Sequence, residues 1–380
     1  MIKMYDIYLD NASTTPVCEE CAEIAYSVMK DHYGNPSSTH TLGRDAASIL
    51  KNARSQVSAA LGCKPQEVYF TSCGSESDNW AVIRGAKLRS HEGRHIISSQ
   101  IEHDAVRKSL DYLESEGYEI TRLKPDQTGC IHVQDVMEQL RSDTILVSLM
   151  MVNNETGAIT DIDSIARQVH AVNPRILFHT DAVQSFMKIP FSAKKMDVDM
   201  ISISGHKIHA PKGIGALYIR SGLKLPGYIL GGGQENGMRA GTEALPQIAA
   251  FGLACEIAKK GFKTYTAAIR DRKDTVIRLL AEEVPEAVIL SGDAPHILSI
   301  SLPGWRSEVL MNFMEAQGVY VSRSSACKKG ARSHVLEAIG LEPEVIDGAI
   351  RVSFSRYNTT EDCEGFVSCL KQARDQLSHR

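Results

Sequence analysis

Long apolar runs are missing from this chain. Nowhere do about 20 consecutive apolar residues occur, the length a helix needs to cross a bilayer, so no membrane association is expected. The opening stretch from Met1 to Asn11 has no apolar core of the kind a secretion signal carries. No block of like charges stands out from a net charge of -4, so neither nucleic acid nor a membrane surface is an expected partner. Cys18 and Cys21 are spaced like a metal-binding pair, but no second pair and no histidine cluster accompanies them, and no metal is expected. The cysteines number 9, scattered and odd, which argues for reduced thiols and a cytoplasmic address. Internal repeats, low-complexity linkers, the Walker phosphate loop and the GxGxxG fingerprint are also missing.

What is present suits a soluble α/β enzyme: 380 residues, 43% hydrophobic, 23% charged, with 28 glycines. Apolar runs at 67–71, 95–99, 144–151, 176–184, 198–203 and 214–219 read as strands. Amphipathic stretches at 41–61, 78–88 and 162–172 read as helices, as does the segment from Pro16 to Lys30, with Gly62 ending the second of them in chain order. Alternating strands and helices predict parallel pairing with helices on both faces. A long helix from Pro246 and a charged one to Glu283 come next, and from Ile289 the pattern changes to a small α+β unit. The expected division is a large domain over 14–255 and a small one over 256–380, with 1–13 packing on the latter.

Lys207 sits between two apolar runs with no long polar loop to carry it into solvent. An unpaired ammonium is costly to desolvate, so such a lysine finds a carboxylate or becomes a neutral amine able to form a Schiff base. The run 67–71 turns through Ser72-Cys73-Gly74-Ser75-Glu76-Ser77 toward a helix, which makes either an anion cradle or a serine-rich cap. His103 stands at a strand-to-helix junction, Asn153 and Asn154 at a strand end, and Asp181 at the end of another buried strand. Ligands bind at such carboxyl ends. Pyridoxal 5'-phosphate asks for this set: a lysine for its aldehyde, a helix N-terminus for its phosphate, a carboxylate for its ring nitrogen and a flat side chain for its face.

Ser204-Gly205-His206-Lys207, followed by Pro211-Lys212-Gly213-Ile214-Gly215, closely resembles the lysine motif of the cysteine desulfurases in the class V aminotransferase group. Leu9-Asp10-Asn11-Ala12, Gly34-Asn35-Pro36-Ser37-Ser38, Asn153-Asn154-Glu155, Asp181-Ala182-Val183-Gln184 and Gly231-Gly232-Gly233-Gln234-Glu235 match in order. The resemblance implies the fold type I architecture of pyridoxal phosphate enzymes, with a mostly parallel central sheet. It implies Lys207 as the Schiff-base residue, Gly74, Ser75, Ser204 and His206 around the phosphate, and Gly205 and Asn154 among the other cofactor-binding residues. His103 is implied to stack on the ring and carry protons, Asp181 to meet the ring nitrogen, and Gln184 to donate to the phenolic oxygen. Asn154 and Arg351 are implied to hold the substrate carboxylate, and Thr242 to reach the phosphate of a second subunit in a homodimer with shared sites.

Ser322-Arg323-Ser324-Ser325-Ala326-Cys327 resembles the nucleophile loop of that family. The implied reaction converts L-cysteine to L-alanine and leaves the sulfur as a persulfide on Cys327, for an acceptor protein in iron–sulfur assembly or tRNA thiolation. Arg323, Lys328, Lys329 and Arg332 flank the thiol and favour its thiolate. The sequence departs from the family pattern at Arg323-Ser324, at Cys73 and at Ser355, and its loop after Cys327 is shorter. Other chemistries on the same fold are selenocysteine lyase, cysteine-sulfinate desulfinase and aminotransferase; a cofactor-free regulatory relative would lack Lys207, Asp181 and His103.

Overall fold

The computed structural model describes residues 6–323 and 332–377. Cys327, Lys328 and Lys329 lie outside the described residues.

Thirteen strands occur among the described residues. They are β1 (Ile7–Tyr8), β2 (Val68–Thr71), β3 (His95–Ser99), β4 (Glu119–Leu123), β5 (Thr144–Ser148), β6 (Leu177–Asp181) and β7 (Met200–Ser204). Then come β8 (Gly215–Ile219), β9 (Val288–Ile289), β10 (Ile297–Ser301), β11 (Val319–Tyr320), β12 (Ser322–Arg323) and β13 (Ala349–Ser353). The main sheet has 7 strands in the order β2-β8-β7-β6-β5-β3-β4. Every residue of β3, β5, β6, β7 and β8 is buried, as required when helices cover both faces.

Parallel pairing holds from β7 through β6, β5 and β3 to β4. It fails at β8, which runs antiparallel to both β7 and β2. The reason is the short connection 205–214: a parallel return needs a crossover of a dozen or more residues, and this one folds back directly. Lys207 is therefore on a turn between two neighbouring strands, with β8 closing under it.

Three other expectations shift. The helix placed at 78–88 starts at Gly74, directly after β2, and runs Gly74–Asn79, through a π-helical turn at Trp80–Arg84, into Gly85–Leu88. The first helix begins at Glu19, capped by Cys18, and not at Pro16. Strand β4 and the helix Val133–Gln139 were not foreseen. By contrast, Thr41–Leu61 and Ile162–Val172 have the predicted bounds, and Gly62 closes the former at φ 71, a left-handed conformation that suits glycine.

Helix Leu245–Lys260 packs against Thr41–Leu61 through Ala53, Val57, Ile248, Phe251 and Ala254, all buried in one apolar cluster. The approach is close enough that a Cβ at Gly252 would lie 2.7 Å from Ala53 Cα. A second sheet of 4 strands, β12-β13-β10-β9, is covered by another cluster that includes Val276, Leu310, Phe354 and Phe366. Leu9 belongs to this second cluster, and β1 pairs in parallel with β11. The N-terminal segment thus packs on the C-terminal part of the chain, and Asn11 Nδ2 donates to Ser353 O at 2.9 Å.

Candidate active site

Strands β5, β6 and β7 end side by side, with Asp181 paired in register to Ser202. Their carboxyl ends and the start of the helix Gly74–Asn79 surround a cavity of about 350 Å³. Gly74 forms its floor: a Cβ there would stand 2.7 Å from Val183 Cγ2. Opposite Gly74, the Ser204 hydroxyl is buried and has no hydrogen-bond partner. Glu76 braces this end, accepting from Ser72 N at 2.8 Å and from Arg239 Nε at 2.8 Å. Free N–H groups of the first helical turn, the helix dipole and an unsatisfied hydroxyl together favour an anion.

Lys207 Nζ donates to Ala12 O at 2.6 Å and to Ser13 O at 2.7 Å. Burial, reinforced by the nearby Arg351 cation, lowers its pKa to about 7. Among the described residues no carboxylate pairs with it, and burial favours the neutral amine of the two fates open to such a lysine. His206 is pushed down to about 4 by burial and then by the Lys207 charge, and its Nδ1 lies 3.2 Å from Thr14 Oγ1.

Asp181 is 5% exposed, and its Oδ1 accepts from Val183 N at 2.8 Å. Burial raises its pKa, with His103 the main opposing charge. His103 caps the helix Asp104–Ser115, its Nδ1 accepting from Ala105 N at 3.1 Å. An accepting Nδ1 places the proton of the neutral ring on Nε2.

Arg351 on β13 is 3% exposed. It donates to Asn154 O at 2.7 Å, Asp10 Oδ1 at 3.0 Å and Ser13 Oγ at 2.6 Å, while its Nε has no partner. Gln184 Nε2 donates to Ala12 O at 2.8 Å.

Ten of the residues named from the sequence line this one cavity: Gly74, Ser75, His103, Asn154 and Asp181, then Gln184, Ser204, His206, Lys207 and Arg351. Gly205 stands behind it, where a Cβ would meet Ile214 Cγ2 at 2.9 Å. Thr242 is exposed and outside the cavity. Cys73, Asp78, Ala12 and Ser13 also line it. The Ala12 and Ser13 carbonyls had no signal in the sequence, since any residue type supplies a carbonyl. Asp78 could have been found as an acid one helical turn after the glycine of the cradle.

The family model for aminotransferase class V matches residues 7–366. A cysteine desulfurase of Trichormus azollae is 39% identical over 377 residues, which is 98% of this chain and 93% of that one. The cysteine desulfurase IscS of Methanosarcina thermophila is 38% identical over 376 residues, 98% of this chain and 92% of its own. Among solved structures, a NifS-like protein gives a TM-score of 0.93 at 35% identity, over 98% of this chain and 100% of that one. SspA in complex with cysteine gives 0.80 at 33% identity, over 93% and 99%. The chain belongs to the class V aminotransferase family, among its cysteine desulfurases.

Proposed function

We propose that this protein is a pyridoxal phosphate-dependent cysteine desulfurase that passes sulfur from L-cysteine to Cys327. The observation that carries the proposal is one cavity holding a neutral-prone Lys207, a buried Asp181 and an anion cradle with an unsatisfied Ser204 hydroxyl. These residues fit the cofactor. Gly74, Ser75, Ser204 and His206 would hold its phosphate, Lys207 its aldehyde, Asp181 its ring nitrogen, His103 its face and Gln184 its phenolic oxygen. When bound, pyridoxal phosphate supplies an electron sink that weakens bonds at the substrate's Cα and Cβ.

The chain's own groups do the rest. Arg351 and Asn154 orient the substrate carboxylate, for which a planar guanidinium is suited. Lys207 and His103 move protons at the substrate carbons. The Cys327 thiolate attacks the substrate sulfur: the Cβ–S bond breaks, a Cys327 S–S bond forms, and a proton completes the methyl group of alanine. Cysteine and one thiol give alanine and one persulfide, so no outside oxidant is needed. Thr242, exposed on its loop, would complete the phosphate site of a second subunit in a homodimer. A division into domains at residue 255, a cytoplasmic location and an acceptor protein for the persulfide sulfur complete the proposal.

The test is to incubate the purified protein with L-cysteine and quantify alanine and protein-bound sulfur together. Equal amounts of both, with a visible cofactor band near about 400 nm, are expected. Alanine without bound sulfur would contradict it.

A further inference from the structure

Three carboxylic acids are buried together: Asp78, Glu102 and Asp181 are 1%, 1% and 5% exposed. Among the described residues no lysine or arginine is within ion-pair distance of any of them. The nearby cations are engaged elsewhere, Lys207 on backbone carbonyls and Arg351 on Asp10.

Two of the three acids accept from backbone N–H groups. Glu102 Oε1 accepts from Ser99 Oγ at 2.5 Å and from Met150 N at 3.1 Å, and burial brings its pKa up to about 8. Asp181 accepts from Val183 N. Asp78 lines the cavity, its Oδ1, like Glu102 Oε2, has no hydrogen-bond partner, and the Ser202 hydroxyl bonds its carboxyl. His179 Nε2 lies 3.6 Å from it. That ring is already bound to the Ser148 and Ser202 hydroxyls at 2.8 and 2.9 Å, and burial pushes its pKa down to about 3, so it brings no charge. Burial first and the Asp181 charge second push Asp78 well above the ordinary carboxyl range against the opposing Ser202 hydrogen bond, with Glu102 and Cys73 acting upward too. His103 and Lys207 act on Asp181 from across the cavity.

Asp78 stands one helical turn after Gly74, so a single helix presents both the cradle and this acid to the same cavity. We propose that Asp78 is a positioning residue of the cofactor site: buried without a cation in the cavity that Asp181 also lines, its carboxyl stays neutral, so that the ring nitrogen meets one carboxylate and not two. This rests on the pyridoxal phosphate assignment above.

Asp78→Asn and Asp78→Ala test it on the full-length protein, stripped of cofactor and titrated with pyridoxal phosphate, with affinity and the visible band followed against pH. Asn keeps the shape and the donor of a protonated acid; Ala keeps neither. The expected result is that Asp78→Ala binds about tenfold more weakly and shifts the pH midpoint of the band, while Asp78→Asn restores both to near wild-type values. Melting of the cofactor-free proteins gives a second readout. The Asn variant gains melting temperature over wild type as pH rises above the ordinary carboxyl range, because wild type must then take up a proton at Asp78 or bury its charge to fold. If Asp78→Asn is as defective as Asp78→Ala, an ionised carboxylate is required and the proposal is overturned. It is equally overturned if Asp78→Ala matches wild type. A wild-type protein that takes up no pyridoxal phosphate overturns the cofactor assignment itself, and this proposal with it.

Discussion

Arg351 and Asp10, separated by 341 positions in the chain, meet in an ion pair of 3.0 Å. The pair holds the one guanidinium that lines the cavity among the described residues at its wall, where the N-terminal segment crosses β13. It also means that a substrate carboxylate reaching Arg351 meets a cation already fixed in place, with Nε still unpartnered. Arg351→Lys keeps the charge and loses the planar fork. Its KM for L-cysteine should rise about tenfold or more, with a smaller change in kcat, as measured by alanine release.

Lys207 gives a pH dependence with a definite sign. Its pKa is lowered to about 7, and the nucleophile is the free amine, which is present above that value. The rate at which cofactor-free protein takes up pyridoxal phosphate should rise about tenfold per pH unit below pH 7 and level off above it. In the cofactor-free protein the same shift means that the unfolded chain binds the proton more tightly. Stability should therefore rise with pH above about 7, and fall toward its lower limit as pH drops through that value.

Gly74 has no room for a side chain: a Cβ would lie 2.7 Å from Val183 Cγ2 and 3.5 Å from Ser204 Cβ, across the cradle. Gly74→Ala should cut cofactor affinity by about tenfold or more while the melting temperature without cofactor changes little, since the strain is relieved into the cavity. Equilibrium titration of the visible band measures the first, and calorimetry the second.

Arg54 and Glu235 form an ion pair at 2.6 Å, with the acid side chain 3% exposed. Glu235 sits in left-handed backbone at φ 47 and also accepts from Phe70 N at 2.9 Å, so it pins the loop that carries Thr242 to β2. Arg54→Ala leaves that carboxylate buried without its cation and should cost about 3 kcal/mol in urea unfolding.

The parts of this fold that were legible in the sequence are those whose burial is total. β5, β6 and β7 are buried along their length, and their apolar runs announced them. β4 is at the sheet's edge with Glu119 exposed and Arg122 half-buried, so its polar pattern concealed it. The mostly parallel sheet was legible, but the direction of β8 was not, because it depends on a connection too short for a crossover. The site was legible where chemistry needs a particular side chain, as at Lys207, Asp181 and Arg351. It was not legible where backbone does the work, as at the Ala12 and Ser13 carbonyls that hold Lys207. Asp78 escaped notice because its importance comes from what surrounds it and not from a motif.

The central claim is that sulfur leaves L-cysteine for Cys327, and the most direct measurement is the mass of the cysteine peptides after a single turnover. Cys73 makes the test sharp, because it is the thiol that lines the cavity among the described residues. Wild type mixed with one equivalent of L-cysteine should carry one extra sulfur on the Cys327 peptide. Cys327→Ser should carry none anywhere and release almost no alanine. An extra sulfur on the Cys73 peptide, or alanine formed by Cys327→Ser at the wild-type rate, would contradict the account.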